Sequence, residues 1–520
     1  MNIKDITKKL KHRKSEIFLV LILIFAAFLR LIFFVGPCCD DDVAYLNSAY
    51  NIVKLNFVEL HNGYSFAYRT MMILPMALSF KIFGISEFTA SLYILLTSLG
   101  SIIVAFFIGK FLFNARVGIF ASLLLAFYPL EVIYSTHIVP DIPVAFFMGL
   151  SVLVFLYAEK NEKDKFYILS GVTAGLAYLV KITAILIVPF ILFYAIFLLK
   201  RNKTKAILRF LLGFLLIFVI EMCYSYYFTS DPFTHYRSHV SAQKAWGHMR
   251  KKSMDEIKAQ LLFYPNLMLG RGILALSQPD IMLSKGIIRD ISPYCGYFFW
   301  LLVLSILFPW SYKKDGKRFL IVLFWFFSIF LFLQFGTMDI GRFVLIHRLT
   351  RFITILSIPM SLVIAHFLDV LIGKKPFVVM LVILGLFFLP LFLDSLARID
   401  LVTSYENNQI LGDTRELCSV LKTLPKKDIY FYQFTREFGL LKFYFNFDED
   451  NQLKLLYDKS CDSIRNAYVV TDDNRWFFEG GPEYPECFKN PPENWKLIAT
   501  IEKADEGIYR RFDPKIYYVP

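Results

Sequence analysis

Residues 17–35 read IFLVLILIFAAFLRLIFFV and run straight into GPCCDDDVAY at 36–45. An apolar run of that length, with Arg30 as its one charge, crosses a hydrocarbon core about 30 Å thick as an α-helix. The preceding MNIKDITKKLKHRKSE is basic and no small-residue cleavage site follows, so the stretch predicts a retained first helix with a cytoplasmic N-terminus. Similar runs predict ten further spans, near 87–110, 116–135, 141–158, 166–181, 182–199, 206–228, 293–310, 319–336, 350–372 and 376–394. The whole chain agrees: of its 520 residues 57% are hydrophobic, 18% aromatic and only 19% charged. Such a composition excludes soluble enzymes, secreted scaffolds and single-pass anchors. Much of the net charge of +13 lies in short connectors, so it reads as membrane flanking and not as a nucleic-acid surface.

The connectors test the count of eleven. Those assigned to the cytoplasm carry Lys110 and Arg116; Lys160, Lys163 and Lys165; Lys200, Arg201, Lys203 and Lys205; Lys313, Lys314, Lys317 and Arg318; and Lys374 and Lys375. Ser135–Pro140, assigned outside, carries no Lys or Arg, as the positive-inside rule requires. An odd number of spans puts everything after Asp394 outside, so residues 1–394 read as a membrane domain and 395–520 as an extracytoplasmic one. There Ile429–Phe434 and Ala467–Thr471 predict strands and Thr414–Leu424 a helix, which makes a small α/β unit. Its segment 476–492, WFFEGGPEYPECFKNPP, is expected to contact an acceptor or cover a site, unless the unit serves stability alone. Two outer loops, 36–86 and 229–292, are also long. The seven cysteines show no CxxC or Cys/His metal spacing; Cys461 and Cys487 pair if their domain meets an oxidising compartment.

Asp40, Asp41 and Asp42 stand together just beyond the first helix. Adjacent carboxylates raise one another's proton affinity. They read as the acidic start of a helix, favoured by its dipole, or as a general base at the interface; a divalent-cation site there is the weakest reading, and no cofactor is assigned. Val43, Ala44, Leu46, Ala49, Tyr50, Ile52 and Val53 recur at helical spacing, predicting an amphipathic helix on the membrane surface, and Tyr68–Phe83 a second. Asp141 follows Pro140 at the start of a span, as a cap or a functional acid. Glu221 reads as the one carboxylate placed well inside an apolar run, where it either serves function or pairs with a buried cation.

Five pieces of the chain then carry a resemblance: DDVAY (41–45), YRTMMILPMALSFKIFGISEFTASL (68–92), IVPDIPVAFF (138–147), YLVKITAILIVP (178–189) and RFITILSIP (351–359). In order and sidedness they resemble the membrane glycosyltransferases of the GT-C class, nearest the protein O-mannosyltransferase and lipid A aminoarabinose transferase group. The resemblance implies a polytopic helical fold with interfacial helices in the first outer loop. It also implies an undecaprenyl- or dolichyl-phosphate sugar as donor, a glycan, lipid or protein hydroxyl on the outer face as acceptor, and inversion at the anomeric carbon. Asp41 aligns with the first acid of the group and is assigned as base, ahead of Asp42 and Asp40. Where the aminoarabinose transferases have Glu before Lys-Pro, this chain has Tyr68 before Arg69 and Thr70, so a second acid is missing there.

Displacing a polyprenyl phosphate needs cations for the departing anion. Arg69, Lys181, His347, Arg348 and Arg351 are candidates, with Arg237 and His239 from the second long loop, and Tyr45 and Tyr68 beside them. Lys181 is otherwise a lysine snorkelling at a helix end, and the HRLTRF cluster a headgroup site. Asp41 is expected to have a raised pKa from its neighbours and apolar setting. Two other classes of function compete: a transporter or flippase of lipid-linked sugars, which predicts charges near the bilayer midplane, and a non-catalytic envelope scaffold.

Overall fold

The apolar runs form helices at all eleven expected places. The membrane part comprises α1 (Lys14–Ile32), α2 (Asp40–Leu55), α3 (Thr70–Phe83), α4 (Glu87–Leu112), α5 (Ala115–Ala126), α6 (Pro129–Ile133), α7 (Asp141–Asn161), α8 (Lys165–Val180), α9 (Ile187–Phe197), α10 (Lys203–Thr229), α11 (Thr234–His248), α12 (Tyr297–Leu307), α13 (Pro309–Lys313), α14 (Gly316–Phe335), α15 (Ser357–Ile372) and α16 (Phe377–Tyr405). The computed structural model describes residues 14–38, 40–55, 68–248, 263–265, 297–313, 315–337, 346, 349–373, 377–432, 436–448, 452–456, 461, 463–471, 485–501 and 514–520. Six helices are long and apolar enough to cross a membrane: α1, α4, α7, α10, α14 and the Thr350–Ile372 helix, whose first turns, Thr350–Leu356, are 3-10. The chain is a polytopic membrane protein.

Several spans depart from their expected outlines. The run 116–135 divides, because α5 ends at Ala126 and Pro129 opens the five-residue α6. Proline has no amide hydrogen and drives the residue before it out of the helical region, here Tyr128 at ψ 123°. The runs 166–181 and 182–199 are separated by Lys181, whose extended backbone (φ −158°, ψ 128°) ends α8 before a 3-10 segment, Ile182–Leu186. The last helix passes the expected domain boundary at 394 and continues to Tyr405.

The helix at 350–372 is enclosed on nearly all sides, whereas α1 and α10 expose Phe18, Leu21, Ile24 and Phe28, and Leu208, Leu212, Leu215 and Val219, as lipid-facing helices do. Backbones of α8 and α10 touch through glycine: a Cβ at Gly171 would lie 1.9 Å from the Phe210 carbonyl oxygen, and one at Gly213 2.0 Å from that of Ile168.

Glu221 is not the one carboxylate deep in an apolar run. Glu131 of α6 is fully buried and accepts hydrogen bonds from Ser98 (3.1 Å) and Ser357 (2.6 Å). The fully buried Arg30 donates to Ser98 and to the Ala26 and Ala126 carbonyls. Asp369, also buried, pairs with Arg116 at 3.0 Å and accepts from Asn114 at 2.9 Å. With Lys110–Glu16, this last group lies at the lysine-rich end of the bundle, opposite the end that holds Asp41.

Beyond Tyr405 a π-helical stretch, Glu406–Leu411, leads into α17 (Gly412–Thr423) and a small unit: β1 (Ile429–Tyr432), α18 (Arg436–Tyr444), β2 (Leu453–Leu456), β3 (Ala467–Thr471), α19 (Glu486–Lys489), β4 (Lys496–Thr500) and β5 (Lys515–Val519). The sheet order is β2-β1-β3-β5-β4, with β1 parallel to both neighbours and β5 antiparallel to both of its own. Leu417, Leu421, Phe438 and Leu441 from α17 and α18 pack on Ile429, Phe431 and Val470. A disulfide joins Cys461 to Cys487, whose Cα atoms are 6.3 Å apart. Of the segment 476–492, residues 476–484 lie outside the described residues.

Candidate active site

Five chain segments end at one face of the bundle, and each end delivers a charged side chain. Asp41 is in the first turn of α2, Arg69 precedes α3, Asp141 opens α7, Lys181 follows α8, and Arg351 sits in the 3-10 start of the 350–372 helix. Acids suit the starts of α2 and α7 because free amides there give a positive field. The broken helix at Lys181 and the 3-10 turn at Arg351 bring cations to the same level.

Arg351 is the hub. Its Nη2 pairs closely with Asp41 Oδ2, and its Nε lies 3.4 Å from Asp141 Oδ2. Lys181 Nζ donates to the other Asp141 oxygen at 2.6 Å and sits 3.6 Å from the Phe352 ring centroid. Arg69 donates closely to the Tyr45 hydroxyl. Asp141 and Lys181 are buried, whereas the side chain of Asp41 keeps 26% of its surface exposed, so Asp41 and Arg351 form the open side of the cluster. Among the described residues Arg69, Lys181 and Arg351 face the two carboxylates Asp41 and Asp141, one positive charge in surplus. That surplus suits a singly charged anion.

Several expectations change with this geometry. Burial raises the Asp41 pKa, but Arg351, Arg69 and Lys181 more than offset it, so the carboxyl is held below its ordinary value and not above it. The Arg351 guanidinium outweighs the neighbouring acids, and its pairing with Asp41 spans 310 residues and leaves no local sign in the sequence. Asp42 is fully buried and accepts from the Cys38 amide at 2.7 Å. Asp141 makes no capping hydrogen bond, its carboxylate being committed to Lys181 and Arg351. Lys181 is buried and does not snorkel. Arg237 points outward, pairs with Asp231 at 3.2 Å and stays out of the cluster. His347, Arg348 and the Asp40 side chain lie outside the described residues. Among the described residues no group of three or more His, Cys, Asp or Glu side chains is arranged to hold a metal ion.

A second polar group adjoins Arg69. Glu221 Oε1 lies 3.3 Å from His235 Nδ1 and accepts from Ser225 at 3.2 Å, so its partner is a histidine that sequence reading passed over. His235 stacks on Tyr68 with ring centroids 5.7 Å apart. The buried Tyr68 hydroxyl has no hydrogen-bond partner among the described residues. Burial, helped by Arg69, His235 and Lys181, pushes the His239 pKa from 6.5 to about 3, which leaves a neutral imidazole. Burial also raises the Tyr45 pKa, keeping its hydroxyl protonated beneath Arg69.

Solved structures share this architecture. ArnT from Cupriavidus metallidurans in the apo state superposes with a TM-score of 0.61 at 14% identity, over 96% of this chain and 97% of that one. The fold is that of the GT-C glycosyltransferases. ArnT bound to undecaprenyl phosphate has a TM-score of 0.57 at 14% identity, with the same coverage. The archaeal oligosaccharyltransferase AglB from Archaeoglobus fulgidus, in complex with an inhibitory peptide and a dolichol-phosphate, has a TM-score of 0.54 at 13% identity, over 89% of this chain and 70% of that one. The family model of dolichyl-phosphate-mannose-protein mannosyltransferases matches residues 71–227. That part of the GT-C fold holds Asp141 and Lys181 but neither Asp41 nor Arg351. No curated protein matches the sequence.

Proposed function

We propose that the chain is an inverting glycosyltransferase that moves a sugar from a polyprenyl-phosphate donor to a hydroxyl of a glycan, lipid or protein. The observation that carries this reading is the Arg351 hub, with Asp41 on its open side and Asp141, Lys181 and Arg69 around it. The donor is a phosphodiester, so its single negative charge meets the surplus positive charge of the cluster. Its prenyl chain leaves the same face into lipid. In the reaction Asp41 takes the acceptor hydroxyl proton, the oxygen attacks the anomeric carbon from the side opposite the phosphate, and the carbon–oxygen bond to phosphate breaks. The electron pair stays on the phosphate oxygen, where Arg351, Lys181 and Arg69 stabilise it. One displacement inverts the configuration. Phosphate also competes with Asp41 for Arg351, and as the guanidinium turns to the donor the proton affinity of Asp41 rises toward that of a working base.

In this reading the site faces the extracytoplasmic side of the plasma membrane, with the N-terminus and the lysine-rich connectors in the cytoplasm. A disulfide in the unit beyond Tyr405 suits an oxidising compartment. The charges that this reading uses gather at the helix ends that hold Asp41, and the buried Arg30 and Glu131 are linked to each other through Ser98. Charge neutralisation rests on side chains, and no cofactor is invoked. The test is purified protein in lipid with a panel of polyprenyl-phosphate sugars and an envelope extract as acceptor. The reading predicts consumption of one donor with formation of a product of opposite anomeric configuration; retention of configuration, or turnover of none, contradicts it.

A further inference from the structure

Beside the cluster lies a buried chain of three side chains that the chemistry above does not use. Cys38 Sγ is 3.3 Å from His137 Nδ1, and His137 Nε2 is 3.1 Å from Glu406 Oε2. Cys38 and His137 are buried, and Glu406 is nearly so. A carboxylate offers only acceptor oxygens, so the ring donates to Glu406 from Nε2, while Nδ1 faces the Cys38 sulfur.

The position of this chain gives it meaning. Cys38 stands three residues before Asp41, and His137 four before Asp141, the two carboxylates that share Arg351. The same loops are tied again where the Val35 amide donates to Thr136 Oγ1 at 3.1 Å. Glu406 arrives from the π-helical turn after α16, and its neighbour Asn407 donates to the Phe34 carbonyl at 3.0 Å. Arg415 of α17 donates to the Val35 carbonyl at 2.7 Å. Three segments distant in sequence therefore converge on the backbone just ahead of both acids.

Resting on the glycosyl-transfer reading, we infer that His137, held by Glu406, is a positioning residue that sets the separation of Asp41 and Asp141. The unit beyond Tyr405 is then part of the catalytic apparatus through Glu406, and not an appended stability module. Hydrogen bonds to a buried carboxylate fix a ring better than packing does, and small displacements at a reacting centre are costly in rate.

The test compares wild type, Glu406→Ala and Glu406→Gln as full-length protein in lipid nanodiscs. Four quantities are read: kcat and donor KM for transfer, the melting temperature, and the maleimide alkylation rate of Cys38 located by mass spectrometry, with the buried Cys418 as internal reference. Glu406→Ala is expected to lower kcat by about a hundredfold with KM and melting temperature little changed. It is also expected to speed alkylation of Cys38 but not of Cys418. Glu406→Gln keeps an oxygen that accepts from Nε2 and restores most of the rate. An unchanged kcat in Glu406→Ala overturns the inference, as does a loss that tracks the melting temperature and is not rescued by glutamine. If wild type itself transfers no sugar, the glycosyl-transfer reading fails and the positioning role with it. The alkylation rates still show whether Glu406 holds His137 against Cys38.

Discussion

At Arg351 two carboxylates share one guanidinium, and that geometry sets what a substitution does. Lysine offers a point charge without a fork, so Arg351→Lys cannot reach Asp41 and Asp141 together as the guanidinium does. We expect kcat to fall by about a hundredfold or more and donor affinity to weaken, read by single-turnover transfer; near-normal rates would mean that the fork is dispensable. His239 gives a pH prediction. Its pKa falls from 6.5 to about 3 on folding, so between those values the unfolded chain binds a proton that the folded chain does not. Stability is full above 6.5 and drops as pH falls toward 3. Asp41, lowered by its cations, adds a loss of the same sign as pH falls through the carboxylate range. Thermal melts of His239→Gln should show a shallower decline between about pH 6.5 and pH 4 than wild type. Most of the cluster was legible in the sequence, because Asp41, Arg69, Asp141, Lys181 and Arg351 sit where helices begin or end. His235 was not, since its partner Glu221 belongs to a different helix.

Among the elements, α8 and α10 matter because α8 ends at Lys181. Gly171 and Gly175 face α10 at an i, i+4 spacing, and a Cβ at Gly213 would enter the Ile168 carbonyl. Gly213→Ala must push the helices apart, which costs about 1–3 kcal/mol and moves Lys181. Unfolding in mixed micelles measures the first effect and donor affinity the second; no change in either would show that the contact is soft. The network of Arg30, Ser98, Glu131 and Ser357 ties α1, α4 and α6 to the residue that follows the Arg351 turn. Glu131→Ala deprives Ser98 and Ser357 of their acceptor and the buried Arg30 of the carboxylate it reaches through Ser98, at a cost of about 1–3 kcal/mol, and adding Arg30→Met should recover part of it. Hydropathy located these helices without showing their breaks. The division at Pro129 and the extended residue at Lys181 arise from backbone geometry that apolar composition does not encode.

For the whole molecule, the unit beyond Tyr405 is seated on α2, the helix that carries Asp41. Arg415 clasps both Glu87 oxygens at 2.9 and 3.0 Å, and Tyr444 donates to Glu87 at 2.5 Å. Tyr50 of α2 stacks on Phe447 with centroids 4.1 Å apart, and Gly439 leaves room for Val43. Arg415→Ala should raise protease sensitivity at residues 406–411 and slow transfer together, whereas an independent unit would show the first without the second. The existence and strands of this unit were readable from composition and alternation. Its docking was not, because contacts between residues more than three hundred positions apart leave no local trace. The central claim is that Asp41 is the base of a polyprenyl-phosphate-dependent transfer. Its most direct test is release of polyprenyl phosphate by wild type and Asp41→Asn, with donor binding measured in parallel. The account predicts release from one donor by wild type, a loss of at least about a hundredfold in the variant, and donor binding equal or tighter because Arg351 is freed. Release undiminished in Asp41→Asn, or lost only in step with donor binding, would contradict it.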